Sequence, residues 1–394
     1  MDWTLITIIL LVAAALLFDF TNGFHDAANS VGTVVATRAL PARYAPAFSA
    51  FFNFLALFVV GTAVASTVAK TVKPEFAGEA VIFAALFAAI AWNYITWYVG
   101  MPSSSSHAII GGLVGAGLAA GGFSAISWSS VEKAAIGIIA SPLVAITIAF
   151  IAMYFIYLLQ KVFKLHDNHP TFKGLQLVSA AGLSFGHGAN DAQKTIGVIG
   201  ALLVGAGYAQ TSADGSNISV PLWVEIAAYT AIALGTLWGG WKIIETMGLR
   251  ITTLHANSGA AANLGATTAI FGATAMGAPI STTQAAASSV IGAGVSSGKG
   301  ANWKVVGEMV TAWVLTIPAA AGIAYGMFWL TQLPTVLAWI VVGVSVIAFG
   351  SWVVWAMRNT IHASDIEAEL PSEKELDEFD QDPTPHLRGK GPVD

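Results

Sequence analysis

The sequence predicts an all-α polytopic membrane protein made of two inverted-topology repeats with broken helices and re-entrant helical hairpins. Three observations carry that prediction. The 394 residues are 56% hydrophobic and only 10% charged, with a mean hydropathy of +0.70, a balance that suits lipid better than a water-bounded core. Apolar runs long enough to cross a hydrocarbon layer about 30 Å thick recur along most of the chain. Two polar motifs embedded in those runs each occur twice, in the same order.

The elements follow in turn. The first apolar run, "LITIILLVAAALLF", lacks a basic leader and a small-residue cleavage site, so it reads as a retained helix and not a signal peptide. It opens a segment at about 3–40 that "NGFHDAANSVG" interrupts. Segments at about 44–69, 79–122 (interrupted) and 134–160 come next, and the basic loop "KVFKLHDNHPTFK" divides the chain. The series then returns as 174–207 (interrupted), 222–248, 251–298 (interrupted) and 305–330. A segment at 334–357 has no counterpart in the first half, and the acidic, Pro-punctuated end is expected to be a flexible soluble tail. The expected organisation is membrane repeat 1 at 1–160, a cytoplasmic linker at 161–173, membrane repeat 2 at 174–330, an additional transmembrane helix at 334–357 and the tail at 358–394.

The repeat is visible letter by letter. "GFHDAANSVGTV" aligned with "GANDAQKTIGVI" pairs Gly23 with Gly188, Asp26 with Asp191 and Gly32 with Gly197, each 165 residues apart. "MPSSSSHAIIGGLVGAG" aligned with "APISTTQAAASSVIGAG" pairs Pro102 with Pro279, Ser104 with Ser281 and Gly117 with Gly294, each 177 apart. If every Ser-rich segment is a hairpin that returns to its own side, each half crosses an odd number of times and the halves are inverted. Placing the central loop in the cytoplasm also puts Arg38, Arg43, Lys242, Arg250, Lys299, Lys304 and Arg358 there and leaves only Lys70, Lys73 and Lys133 outside. That bias predicts an external N-terminus and a cytoplasmic tail for a multi-pass protein, which is expected in the plasma membrane.

The motifs carry the chemistry. An ionised carboxylate at bilayer depth costs several kcal/mol unless it is paired, hydrated or coordinating a cation, so the duplicated Asp26 and Asp191 are candidates for holding a sodium ion or carrying a proton. Flanking glycines (Gly23, Gly32, Gly188, Gly197) allow the helices to break there and offer backbone carbonyls to a cation. "PSSSSH" and "PISTTQ" read as helix beginnings, with proline in the first turn, Ser/Thr caps and free N–H groups; such starts cradle anions. His25, His107 and His187 read as hydrogen-bonding struts ahead of ligands, and Asn53 and Asn93 as interhelical hydrogen-bond formers.

The stretches "NGFHDAANSVGTVVATRAL", "WNYITWYVGMPSSSSH", "HGANDAQKTIG" and "PISTTQ" resemble the signature motifs of the PiT family of inorganic phosphate transporters, especially its bacterial Pit-type members, over about 3–357. The resemblance implies alternating-access symport of inorganic phosphate, in some members as a metal-phosphate complex, with sodium or protons. It implies no cofactor beyond the coupling cation. Carried over residue by residue, it assigns phosphate binding to Ser103, Ser104, Ser105, Ser106, Ser281, Thr282, Thr283 and Lys194, and cation coupling to Asp26, Asn29, Asp191, Asn190 and His25, with Asp26 and Asp191 as ligands if the cation is sodium. Two positions depart from the family pattern: His25 faces Asn190, and Lys194 stands where the first copy has Asn29. That lysine neutralises Asp191, replaces a cation or meets phosphate directly.

Rival readings are a sulfate permease of the same family and an anion channel, which gains nothing from two buried carboxylates. An enzyme is not expected: no nucleophile-base-orienter set or nucleotide loop is present, and without cysteine there is no thiolate site and no disulfide framework. Membrane lipid is an expected partner and nucleic acid is not; a homo-oligomer is compatible with the sequence.

Overall fold

The computed structural model describes residues 3–211 and 218–370. They fold into fifteen α-helices: α1 (Trp3–Asp26), α2 (Ala28–Ala36), α3 (Ala45–Leu55), α4 (Ala63–Ala69), α5 (Glu79–Tyr98), α6 (Ser105–Gly121), α7 (Trp128–Phe163), α8 (Pro170–Gly205), α9 (Leu222–Trp238), α10 (Trp241–Glu245), α11 (Ala256–Ala275), α12 (Thr282–Ser296), α13 (Trp303–Thr331), α14 (Thr335–Arg358) and α15 (Ala363–Glu369). A π-helical turn at Thr246–Arg250 extends α10, and a two-stranded ribbon of β1 (Gln210–Thr211) and β2 (Ile218–Ser219) is the sheet among the described residues. Among the described residues, six helices are long and apolar enough to cross a membrane, or up to eight if each of two bent pairs is one span.

The two halves are inverted. The base of the α5–α6 hairpin is tied by Lys73 N–H donating to the Ala125 carbonyl at 2.8 Å, and the base of the α11–α12 hairpin by Asn302 N–H donating to the Ile251 carbonyl at 2.8 Å. The second base is bound to the central loop through Ala256 N–H to Asn168 and Asn257 N–H to the Asp167 carbonyl, both at 3.1 Å. The first lies with the loop after α8, at the far end of that 36-residue helix. The hairpins therefore enter from opposite faces. Their turns match across the repeat: Gly100 and Gly277, 177 residues apart, take φ of +69° and +62°, a left-handed conformation that favours glycine.

Packing exchanges elements between the repeats. α7 lies along α11 and α12, α13 along α5 and α6, α1 against α9, and α3 against α8. Gly23 and Gly188 show why the small residues of the motif recur. A methyl group at Gly23 would strike the Ile232 carbonyl, and one at Gly188 the Asn53 carbonyl. Small residues bring helix backbones together where lipid offers no hydrophobic drive.

That use of glycine corrects one expectation. The aspartate-bearing segments do not break: α8 runs unbroken through Asp191, and α1 passes into α2 by a turn at Ala27 within one span, Thr4–Ala36. The broken segments are those expected to be continuous. Ala45–Phe58 meets α4 at 89°, and α9 meets Trp241–Arg250 at 68°. The tail also begins as structure. Ile366 of α15 is buried, and the Arg38 guanidinium donates to the Leu370 carbonyl at 3.2 Å; residues 371–394 lie outside the described part. The large apolar side chains left exposed on α7, α13 and α14 suit a lipid-facing surface.

Candidate functional site

The hairpin tips meet the junction of α1 with α2 and the middle of α8 in a polar core closed to solvent. Ser104 caps α6 by accepting from His107 N–H at 3.2 Å, and Ser281 caps α12 by accepting from Gln284 N–H at 3.1 Å. These residues match across the repeat, so each hairpin presents a capped helix N-terminus to the same locus, where its dipole favours an anion.

The carboxylates are held by hydroxyls on α12. Thr283 Oγ1 donates to Asp26 Oδ1 at 2.9 Å, and Thr282 Oγ1 lies 3.1 Å from Asp191 Oδ2 and 3.4 Å from Asp26 Oδ2. One side chain thus bridges both acids. His25 Nδ1 stands 2.8 Å from Asp26 Oδ1, its ring held from behind by Thr96 at 3.1 Å and Ser103 at 3.4 Å. Asp191 has two basic neighbours: the Lys194 ammonium at 2.5 Å and His187 Nε2 at 3.4 Å. The ammonium also donates to Ser106 Oγ and, at 3.0 Å, to the Ile280 carbonyl, which Ser106 Oγ reaches at 2.6 Å. The backbone carbonyl drawn into this cluster thus lies in the hairpin turn, where the chain leaves helical geometry, and it is engaged by Lys194 and Ser106.

Most of the expected residues converge. Asp26, His25, Asp191, Lys194, Ser103, Ser106, Thr282 and Thr283 touch one another, and Asn29 reaches Thr283 at 3.4 Å. Ser104 and Ser281 act as caps, and Ser105 Oγ is buried without a partner. Asn190 is the exception. It braces the α11–α12 turn, donating to Thr274 at 2.9 Å and the Ala278 carbonyl at 3.2 Å, and does not reach the carboxylates. Two contributors were not expected at the site: Thr96, which orients His25, and His187, read from sequence as a strut. The repeat held the signal for the second, because His187 matches Asn22 and lies one turn from Asp191. Asp26, His187 and Asp191 bring ligand atoms within 4.8 Å of one another. With the Thr282 hydroxyl they form an oxygen-rich set suited to a small cation.

Comparison with known proteins follows the same lines. The family model described as "Phosphate transporter family" matches residues 22–168 and again 158–324, one match for each half of the motif repeat. The chain belongs to the phosphate transporter family. Relatives in that family include probable low-affinity inorganic phosphate transporters of Rhizobium meliloti (strain 1021), 47% identical over 79% of this chain and 92% of the relative, and of Bacillus subtilis (strain 168), 43% identical over 82% and 96%. A solved structure, "The sodium-dependent phosphate transporter", superposes with a TM-score of 0.72 at 25% identity, covering 83% of this chain and 99% of that one. Membership makes this a multi-pass membrane transporter of phosphate and not an enzyme.

Proposed function

We propose that the protein is a symporter that carries inorganic phosphate, free or as a metal-phosphate complex, across the plasma membrane by alternating access, driven by a sodium or proton gradient. The observation that carries this reading is the convergence of two carboxylates, one ammonium and two capped helix starts at a single buried locus. Phosphate lies between the α6 and α12 starts, within reach of Ser103 to Ser106, Ser281 to Thr283 and Lys194. The driving cation lies at Asp26 and Asp191, with His25, Asn29 and His187 completing the surround and Asn190 setting the turn. Lys194 supplies one fixed positive charge at the second acid, where the matched position in the first repeat is Asn29. The repeats at 1–160 and 174–330, joined by the linker at 161–173, exchange their long helices, so rocking the hairpins against those helices exposes the locus to each side in turn. The helix at 334–357 flanks them on the lipid side. By the positive-inside rule the face bearing Arg38, Lys164 and Lys299 is cytoplasmic, with the tail on that side and the N-terminus outside.

Phosphate is favoured over sulfate because a partly protonated phosphate donates a hydrogen bond to a carboxylate, whereas sulfate leaves that acceptor facing bare charge. Labelled phosphate uptake into proteoliposomes, with sodium and proton gradients imposed separately, tests the reading. Uptake driven by one gradient and abolished in Asp191→Asn supports it. Uptake indifferent to both gradients points to a channel, and sulfate uptake that withstands excess phosphate points to a sulfate permease.

A further inference from the structure

A second buried polar group lies two helical turns before Asp26 on α1, about 10 Å away. At its centre is Asp19, fully buried, whose carboxylate oxygens make no well-formed hydrogen bond, although Asn22 and Thr195 stand near enough to interact with them. Asn22 on α1 and Thr195 on α8 flank it, and Tyr229 on α9 stands close enough to feel its charge. Asn22 Oδ1 and Nδ2, Thr195 Oγ1 and the Tyr229 hydroxyl are likewise buried and make no well-formed hydrogen bond. An ionised carboxylate left in this state is among the most expensive arrangements a protein interior can hold, and ordinarily takes up a proton or a cation.

The repeat supplies an internal control. The positions matching Asp19 and Thr195 are Ser184 and Ser30, each 165 residues away. There the polar atoms satisfy one another: Ser30 and Ser49 hydroxyls lie 2.8 Å apart, and Ser184 donates to Ser49 at 3.1 Å and to the Ala180 carbonyl at 2.9 Å. Asn22 matches His187, which bonds Asn53 at 3.2 Å. The same backbone framework therefore pairs its hydroxyls in one half and leaves them unpaired, around an added charge, in the other.

We infer that Asp19, Asn22, Thr195 and Tyr229 form a second coupling-cation site, separate from the phosphate locus, for one dehydrated monovalent cation, sodium or a proton. Together these side chains carry five oxygens of hard-ligand type and one negative charge, which a monovalent ion balances and a divalent ion overshoots. The charged groups facing Asp19 are Asp191 and Lys194 on α8, with Glu225 of α9 near Tyr229. A cation at Asp19 is therefore sensed by the acid-ammonium pair next to the phosphate locus, and coupling needs no moving relay.

This inference rests on the cation-coupled reading above, and its test separates the two. Wild type and Asp19→Asn are reconstituted and assayed under a sodium gradient, under a proton gradient and in phosphate exchange with neither. Wild type is expected to accumulate phosphate under one gradient, which identifies the cation. Asp19→Asn is expected to accumulate at least tenfold less while still exchanging labelled phosphate, at a reduced rate, which shows it is folded. Accumulation within twofold of wild type overturns the site. Loss of exchange together with accumulation is resolved by Thr195→Val and Tyr229→Phe. These are expected to raise the half-saturating concentration of the driving cation at least fivefold with little change in that for phosphate, and the opposite pattern overturns the site. Wild-type uptake that ignores both gradients removes the coupled reading, and this site with it.

Discussion

Replacing Lys194 by asparagine is expected to make the protein depend on sodium for its stability. The substitution removes an ammonium that donates to Asp191 Oδ1 at 2.5 Å, to Ser106 and to the Ile280 carbonyl at 3.0 Å, and neither Lys194 nor Asp191 has any side-chain exposure. Asp191 is left with the Thr282 hydroxyl at 3.1 Å and His187 at 3.4 Å. Removing one partner of a buried pair typically costs about 3–5 kcal/mol, because the other charge stays behind uncompensated. The new asparagine recreates the Asn29 arrangement of the first repeat, leaving a carboxylate, a hydroxyl and the Ile280 carbonyl to receive an ion. A ligand at about one hundred times its dissociation constant returns about 2.7 kcal/mol. The assay is denaturant unfolding in detergent, in sodium chloride and in potassium chloride of equal ionic strength. In potassium the variant should lose about 3–5 kcal/mol, and sodium should stabilise it by about 2 kcal/mol more than it stabilises wild type. Adding Asp191→Asn should abolish that extra increment. Equal sodium increments in variant and wild type, or a loss under about 1 kcal/mol in potassium, would refute the view that Lys194 stands in for a cation.

Two further substitutions test the geometry around the carboxylates. Thr282→Val removes the hydroxyl shared by Asp26 and Asp191; a hydrogen bond to a charged group contributes about 1.5–3 kcal/mol, so initial uptake should fall roughly 10- to 150-fold, with Thr282→Ser largely retaining it. Gly188→Ala drives a methyl into the Asn53 carbonyl and should cost about 1–3 kcal/mol through overpacking, read as a lower unfolding midpoint. Gly174→Ala, where a methyl meets open space within α8, should leave that midpoint unchanged or raise it, since alanine holds a helix better than glycine.

Much of the site was legible because duplication marks it: two acids and two Ser/Thr helix starts recurring at fixed offsets single out the residues that meet. What the sequence concealed was backbone geometry. A glycine that permits a helix break and a glycine that admits a neighbouring backbone look alike in a string of letters. Gly23 and Gly188 are of the second kind, contacting Ile232 and Asn53 from the opposite repeat, and those contacts exist only after the repeats exchange helices. The bends at 59–62 and 239–240 were hidden for the same reason, since the apolar runs around them are long enough to read as continuous spans. Asn190 was misplaced by analogy: its neighbour Asp191 faces the site, but one residue along a helix turns a side chain about 100°, and Asn190 faces the hairpin turn instead. Thr96 could not be found by the repeat, because its role depends on the ring of His25, and the matched position in the second motif carries Asn190.

Charge balance in the core leads to one more consequence. Among the described residues, the fully buried side chains of formal charge are Asp19, Asp26, Asp191 and Lys194, three acids and one ammonium. With histidines neutral, the core is short of positive charge before phosphate arrives, and phosphate deepens the deficit by at least one more charge. Moving such a core through a low-dielectric barrier is costly unless cations enter with the anion. The acids lie in two places, Asp19 apart from the Asp26–Asp191 pair, and Lys194 offsets only one of them, so a single cation leaves part of the deficit standing. Net uptake is therefore expected to carry at least two cation charges per phosphate, which simultaneous measurement of labelled phosphate influx and of the driving cation's flux in the same proteoliposomes reads directly. A ratio of one would mean that one of these acids stays protonated throughout the cycle. Substituting each acid in turn by its amide then identifies it, because the resident proton's position is the one whose replacement leaves the ratio unchanged.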